Sequence, residues 1–160
     1  MTVPNPQIVE ADSPERIAFA RALINEYIAS LGVDLSFQDV SRELAELEQR
    51  YAPPRGCLLV ALNGAHPVGC VAVHPLDAVA CEMKRLYVRP EIRGTGLGRR
   101  LAERAIAFAR RSGYSAMRLD TMPSMVVARQ LYAGLGFQEI PPYRSNATVC
   151  TKFLELQLQT

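Results

Sequence analysis

The run Arg93-Gly94-Thr95-Gly96-Leu97-Gly98 constrains this chain more than any other stretch. It joins a strand-like segment, Met83 to Val88, to a helix-like one running from Leu97 to about Ser112. Pro90, just after the strand, has no N–H to give and stops a sheet ladder. Leu97, Leu101, Ala105 and Phe108 or Ala109 recur at helical spacing and mark one apolar face. Glycines at alternate positions let the backbone turn sharply and aim successive N–H groups outward. At a helix N-terminus those donors and the positive dipole end favour an anion. The loop reads as a cradle for a phosphate or pyrophosphate.

Two familiar nucleotide loops fail against these residues. A P-loop ends Gly-Lys-Ser/Thr, and Leu97-Gly98-Arg99-Arg100 does not. A dinucleotide fingerprint beginning at Gly94 needs glycine where Arg99 stands, and opens an early βαβ unit, whereas this loop lies past mid-chain. Asp120 is a weak match to the ribose-binding acid of that fingerprint.

The form Arg93-x-x-Gly96-x-Gly98 instead resembles the acetyl-CoA loop, Gln/Arg-x-x-Gly-x-Gly/Ala, of the Gcn5-related N-acetyltransferase (GNAT) family. A second segment strengthens the likeness. Ala128-Arg129-Gln130-Leu131-Tyr132-Ala133-Gly134-Leu135-Gly136-Phe137 is similar to the family's Ala-x-x-Leu-Tyr-x-x-x-Gly-Phe, in the right order and at a fitting distance. The likeness is good over residues 56 to 140 and rests only on the pattern of elements before that.

The elements themselves are legible from periodicity and breakers. A strand at Gln7 to Glu10 precedes Ser13-Pro14, a cap and first-turn proline for a helix reaching Gly32. A second helix spans roughly Phe37 to Gln49. Strands Cys57–Leu62 and Pro67–Val73 meet at Asn63-Gly64, a hairpin signal, and Ala80–Val88 extends the meander. Past the loop and its helix come a strand Ala116–Asp120, a helix from about Met125 to Leu135, and a last strand Thr151–Gln157. This order implies an α/β (α+β) fold with a mixed sheet. The resemblance implies the GNAT arrangement, a mostly antiparallel central sheet of about six to seven strands flanked by about four helices. The 160 residues fit one domain, with no repeat or linker.

Composition narrows the partners. A net charge of +2 gives no case for nucleic acid or an anionic membrane, and no apolar run approaches the length of a membrane span. The N-terminus lacks a basic and apolar signal region, and Cys57, Cys70, Cys81 and Cys150 show no paired spacing. The reading is a cytoplasmic protein with buried thiols, no disulfide and no metal. The arginines between Arg89 and Arg111 suit either CoA phosphates or a solvated helix face.

What the resemblance implies for the site follows residue by residue. Tyr132 corresponds to the tyrosine that points at the CoA sulfur, a general acid for the departing thiolate. Glu82 occupies the offset from Arg93 at which histone-acetylating members carry their general base, although many members use ordered water; its structural alternative is a solvent-facing residue paired with Lys84 or Arg118. Leu86, Tyr87 and Val88 fall on the strand whose main chain meets pantetheine, and Arg93, Gly94, Thr95, Gly96, Leu97, Gly98 and Arg99 on the pyrophosphate loop. The family often has asparagine where this chain has Met125, so Ser124 is carried as a substitute cofactor contact. His66 and His74 read as turn residues beside prolines, and Asp120 as a strand terminator. Tyr27, Tyr51, Tyr143 and Arg144 lie in segments that line the acceptor groove of related folds.

The expected activity is transfer of an acetyl group from acetyl-CoA, as cosubstrate, to a primary amine of a small molecule or peptide. Direct attack in a ternary complex is favoured because no cysteine sits in a nucleophile's context. The rival is a non-catalytic acyl-CoA-binding or regulatory module. Homodimers are common in the family, and no stripe here specifies one.

Overall fold

A computed structural model describes residues 5–32, 40–122, 125–144 and 151–158. Its sheet is built from β1 (Gln7–Glu10), β2 (Cys57–Asn63), β3 (His66–Pro75), β4 (Ala80–Val88), β5 (Ala116–Thr121), β6 (Gln138–Ile140) and β7 (Lys152–Gln157). The helices are α1 (Pro14–Leu31), α2 (Val40–Ala45), α3 (Leu47–Arg50), α4 (Leu97–Arg111) and α5 (Val126–Gly134). Strand order is β1-β2-β3-β4-β5-β7-β6, and every pair is antiparallel except β4 with β5. The crossover between those two runs through α4.

The sheet separates two apolar layers, as strand alternation requires. Leu59, Val71, Met83, Met117 and Leu119 face α4, whose Leu97, Leu101, Ala105 and Ala109 are buried. Leu58, Val60, Cys70 and Ala72 face the other way, against Leu23 and Ile24 of α1 and Leu47 of α3. Ser13 caps α1 by accepting from the Arg16 N–H, Pro14 fills its first turn, and Gly32 closes it in the left-handed region at φ 63°.

Three features differ from the sequence reading. The second helix breaks at Glu46 into α2 and α3, a re-aiming that turns both Glu43 and Leu47 inward. The short β6 is an added strand, too brief for alternation to announce it, that pairs with β7. A 3₁₀ turn, Pro90–Ile92, intervenes between β4 and the glycine loop.

The decisive irregularity lies in β4. Cys70 pairs with Tyr87 but Ala72 pairs with Lys84, so β4 holds one more residue than β3 across that interval. Arg85 sits in this bulge with φ 60°, a left-handed conformation that is costly for a non-glycine residue. A buried ion pair holds it there: Arg85 Nη2 donates to Glu43 Oε1 at 2.7 Å and Nε to Oε2 at 3.1 Å. The Tyr51 hydroxyl adds a bond to the same carboxylate at 2.8 Å. Removing the cation leaves a carboxylate stranded in the core. Arg85→Met is expected to cost ~3–5 kcal/mol in urea unfolding, and the Glu43→Gln/Arg85→Met double variant to lose less than the sum of the single losses.

Candidate active site

Parallel pairing of β4 with β5 ends at Glu82 and Arg118, although both strands continue. The bulge bends β4 away, and a cleft opens through the sheet, lined among others by Tyr27, Lys84, Leu86, Asp120, Met125 and Tyr132. Leu86 and Val88 pack toward α4 while Tyr87 packs on the α1 side, so their side chains serve the core and the β4 edge beyond Glu82 is left without a β5 partner. The Val88 carbonyl takes a bond from Arg93 Nε at 3.0 Å.

At the end of that open edge sits the glycine loop. Gly94 and Gly96 have φ of 82° and 86°, conformations that only glycine adopts without strain, and Gly96 is the cap of α4. Thr95 Oγ1 fastens the loop to the Ile92 carbonyl at 2.7 Å. No main-chain N–H from Gly94 to Arg99 is taken up by a described residue, so these donors stay open at a helix N-terminus. Gly98 is different from its neighbours. A Cβ there would meet Val88 and Leu131 only at ordinary contact distances of 3.7 and 3.9 Å, so the fold itself leaves room for a methyl group. The Arg99 side chain turns to Glu103 at 3.2 Å, which leaves its main-chain N–H as its contribution to the loop.

Tyr132 is 7% exposed, packs edge-on against Phe137, and its hydroxyl bonds to no described residue. Burial pushes its pKa well up, aided by the Tyr27 and Asp120 charges, so the phenol keeps its proton. The Tyr27 hydroxyl, also raised by burial, to about 12, stands on the α1 side of the cleft. Met125 takes the cap position of α5, and its sulfur accepts from Thr121 Oγ1 at 3.7 Å. Ser124 lies outside the described residues.

Glu82 corrects the solvent-facing reading made of it from the sequence. It is fully buried rather than solvent-facing, and its partners are neither Lys84 nor Arg118. His74 Nε2 lies 2.7 Å from Oε1, the Tyr143 hydroxyl donates to Oε2 at 2.7 Å, and the Arg144 guanidinium clasps the same oxygen. Burial works to raise the carboxyl, but the His74 bond and the charges of Lys84, Arg144 and His74 outweigh it and bring the pKa down to about 2. His74 is likewise no turn residue: it lies in β3 opposite Glu82, which register alone determines. Asp120 does not merely end β5. Its Oδ2 accepts from Arg144 Nη1 at 3.0 Å, and its side chain lines the cleft.

The acetyltransferase (GNAT) family model matches residues 15–137. The chain belongs to the GNAT family. An uncharacterized N-acetyltransferase of Schizosaccharomyces pombe is 41% identical over 147 residues, 91% of this chain and 90% of its own length. An N-acetylaspartate synthetase of Danio rerio is 35% identical over 71% of this chain, which spans 42% of that protein. Among solved structures, an acetyltransferase from Streptococcus agalactiae superposes with a TM-score of 0.79 at 26% identity, covering 96% and 98% of the two chains. A Salmonella typhimurium protein solved with acetyl-CoA shares the fold, with a TM-score of 0.70 at 24% identity over 96% and 94% of the chains.

In this GNAT acetyltransferase Tyr132 lines the cleft, the glycine loop follows the open β4 edge, and the Glu82 network reaches the cleft through Arg144 and Asp120. The unfolded glutamate titrates at ~4.3, whereas its folded surroundings bring Glu82 down to about 2. The folded state therefore binds fewer protons between these values, and the stabilisation, complete above the unfolded pKa, drains away as pH falls toward the folded one. Unfolding midpoints should drop steeply across that window. Glu82→Gln should be less stable at neutral pH and lose less on acidification, with Glu43, also depressed, supplying the remaining slope.

Proposed function

We propose that this N-acetyltransferase moves the acetyl group of acetyl-CoA to a primary amine of a small molecule or peptide, by direct attack while both substrates are bound. The observation that carries the reading is the row of unspent N–H groups from Gly94 to Arg99 at the end of an open β4 edge that leads to the Tyr132 hydroxyl. The loop fits a diphosphate through its main chain. The open edge beside Leu86, Tyr87 and Val88 fits the amide groups of pantetheine, and the cleft fits the thioester.

In this reading the amine nitrogen forms a bond to the acetyl carbon as the carbon–sulfur bond breaks. Tyr132 meets the developing thiolate with its hydroxyl, and its raised pKa keeps that proton available at neutral pH. Glu82 acts as a positioning residue: it holds Arg144, and through it Asp120, at the cleft wall. The proton leaving the amine passes to water or to Asp120 rather than to Glu82. Cytoplasmic residence belongs to the same proposal and is supported by the free, buried thiols of Cys57, Cys70 and Cys81.

Calorimetry with acetyl-CoA, CoA, ATP and NAD tests the proposal, with selective micromolar binding of the two CoA forms expected. Gly96→Val should leave the fold standing but bind acetyl-CoA ~10-fold or more weakly, since a β-branched residue does not hold φ 86° and re-aims the loop's N–H groups. Unchanged affinity would remove the loop assignment. Tyr132→Phe should lower kcat ~100-fold or more while leaving acetyl-CoA affinity in place. Binding without turnover in the parent protein would favour the non-catalytic module.

A further inference from the structure

The α1-side wall of the cleft carries two charges that the acetyl-donor site does not use. Glu82 and Arg118 are the last residues in parallel register, and Lys84 and Asp120 follow them by two positions each. Alternation therefore puts Lys84 and Asp120 on the same face, on opposite sides of the opening. Both line the cleft.

Lys84 is the unusual member. Its stem is largely enclosed, yet it forms no ion pair with a described residue. Each nearby carboxylate is committed elsewhere: Glu82 to His74, Tyr143 and Arg144, Glu43 to Arg85 and Tyr51. Asp120 gives Oδ2 to Arg144, and its other oxygen bonds to no described residue. Burial pulls the Lys84 pKa below the ordinary lysine value, although the charges of Glu82 and Asp120 act in the other direction. The Lys84 ammonium group, half-buried at the cleft, has donors to spare. A carboxylate arriving in the cleft would supply a charge-assisted partner. Asp120, with one oxygen open, offers the complementary place for an ammonium group.

We propose that the acceptor is a small amine that itself bears a carboxylate, as an amino acid does, with its carboxylate on Lys84 and its amine beside Asp120. The inference rests on the acetyl-transfer reading above. The acceptor enters as a zwitterion. Its ammonium group gives up one proton, through Asp120, to solvent. The neutral nitrogen then forms the carbon–nitrogen bond while the carbon–sulfur bond breaks. Tyr132 gives its proton to the sulfur, and the second nitrogen proton replaces it. The balance is one amide, one CoA thiol and one proton released.

The test uses the whole protein with acetyl-CoA, reading thiol release against amino acids, their α-amides and alkylamines of matched length. The carboxylates should exceed their amides by ~100-fold or more in kcat/KM. Lys84→Met should collapse that ratio chiefly through the acceptor KM, and Lys84→Glu should turn the preference toward diamines. Both variants should bind acetyl-CoA as the parent does. Equal turnover of acids and amides, a ratio that survives Lys84→Met, or acetyl-CoA binding with no amino acid acetylated would each overturn the substrate assignment alone. Failure to bind acetyl-CoA would instead overturn the acetyl-transfer reading beneath it. Intact mass after incubation with acetyl-CoA alone guards one further point: rapid acetylation of Lys84 would make it an acceptor and not an anchor, and would also overturn the assignment.

Discussion

Strand β4 cannot follow β5 beyond Glu82, and most of the molecule's chemistry depends on that divergence. A parallel pair that stayed in register would seal the sheet, bury the main-chain edge and leave Tyr132 facing packed side chains. The extra residue at Arg85 prevents this, at the cost of a left-handed backbone in a side chain that does not favour one. The compensation comes from far along the chain. Glu43, on helix α2, grips the Arg85 guanidinium and is itself held by Tyr51, so the bulge persists because breaking it would strand charges in the core.

A second polar web stands beside the first. Glu82 gathers His74 from β3 with Tyr143 and Arg144 from the segment after β6, and Arg144 extends the chain to Asp120. Its carboxylate is stabilised as an anion by that company, which fits the positioning role proposed for it. The two webs lie on the same side of the sheet, and between them they fix both lips of the cleft.

How much of this could be read from residues alone follows from the range of each interaction. The glycine loop, its flanking strand and helix, and the Tyr132 segment are local signals, since turn geometry and helical spacing act within a few positions. Strands β1 to β5 and α1 were legible for the same reason. The Glu82 network was not, because Arg144 reaches it across 62 positions of sequence and no local pattern announces that meeting. The bulge at Arg85 carries no glycine to flag it. Lys84 and Asp120 had one available signal, the shared alternation with Glu82 and Arg118, which becomes meaningful only once the register of β4 against β5 is known.

In the proposed reading, the opening through the sheet divides the donor and acceptor sites between two separately packed layers. The donor's cradle and Tyr132 belong to the layer of α4 and α5, whereas Lys84, Asp120 and Tyr27 belong to the layer of α1. Side chains in one layer hardly repack when those in the other change, because the sheet stands between them. A lineage built on this plan can therefore exchange its acceptor by altering a few residues on the α1 face, without renegotiating the machinery that delivers the acetyl group. Substrate range becomes an inheritable variable, decoupled from cofactor use.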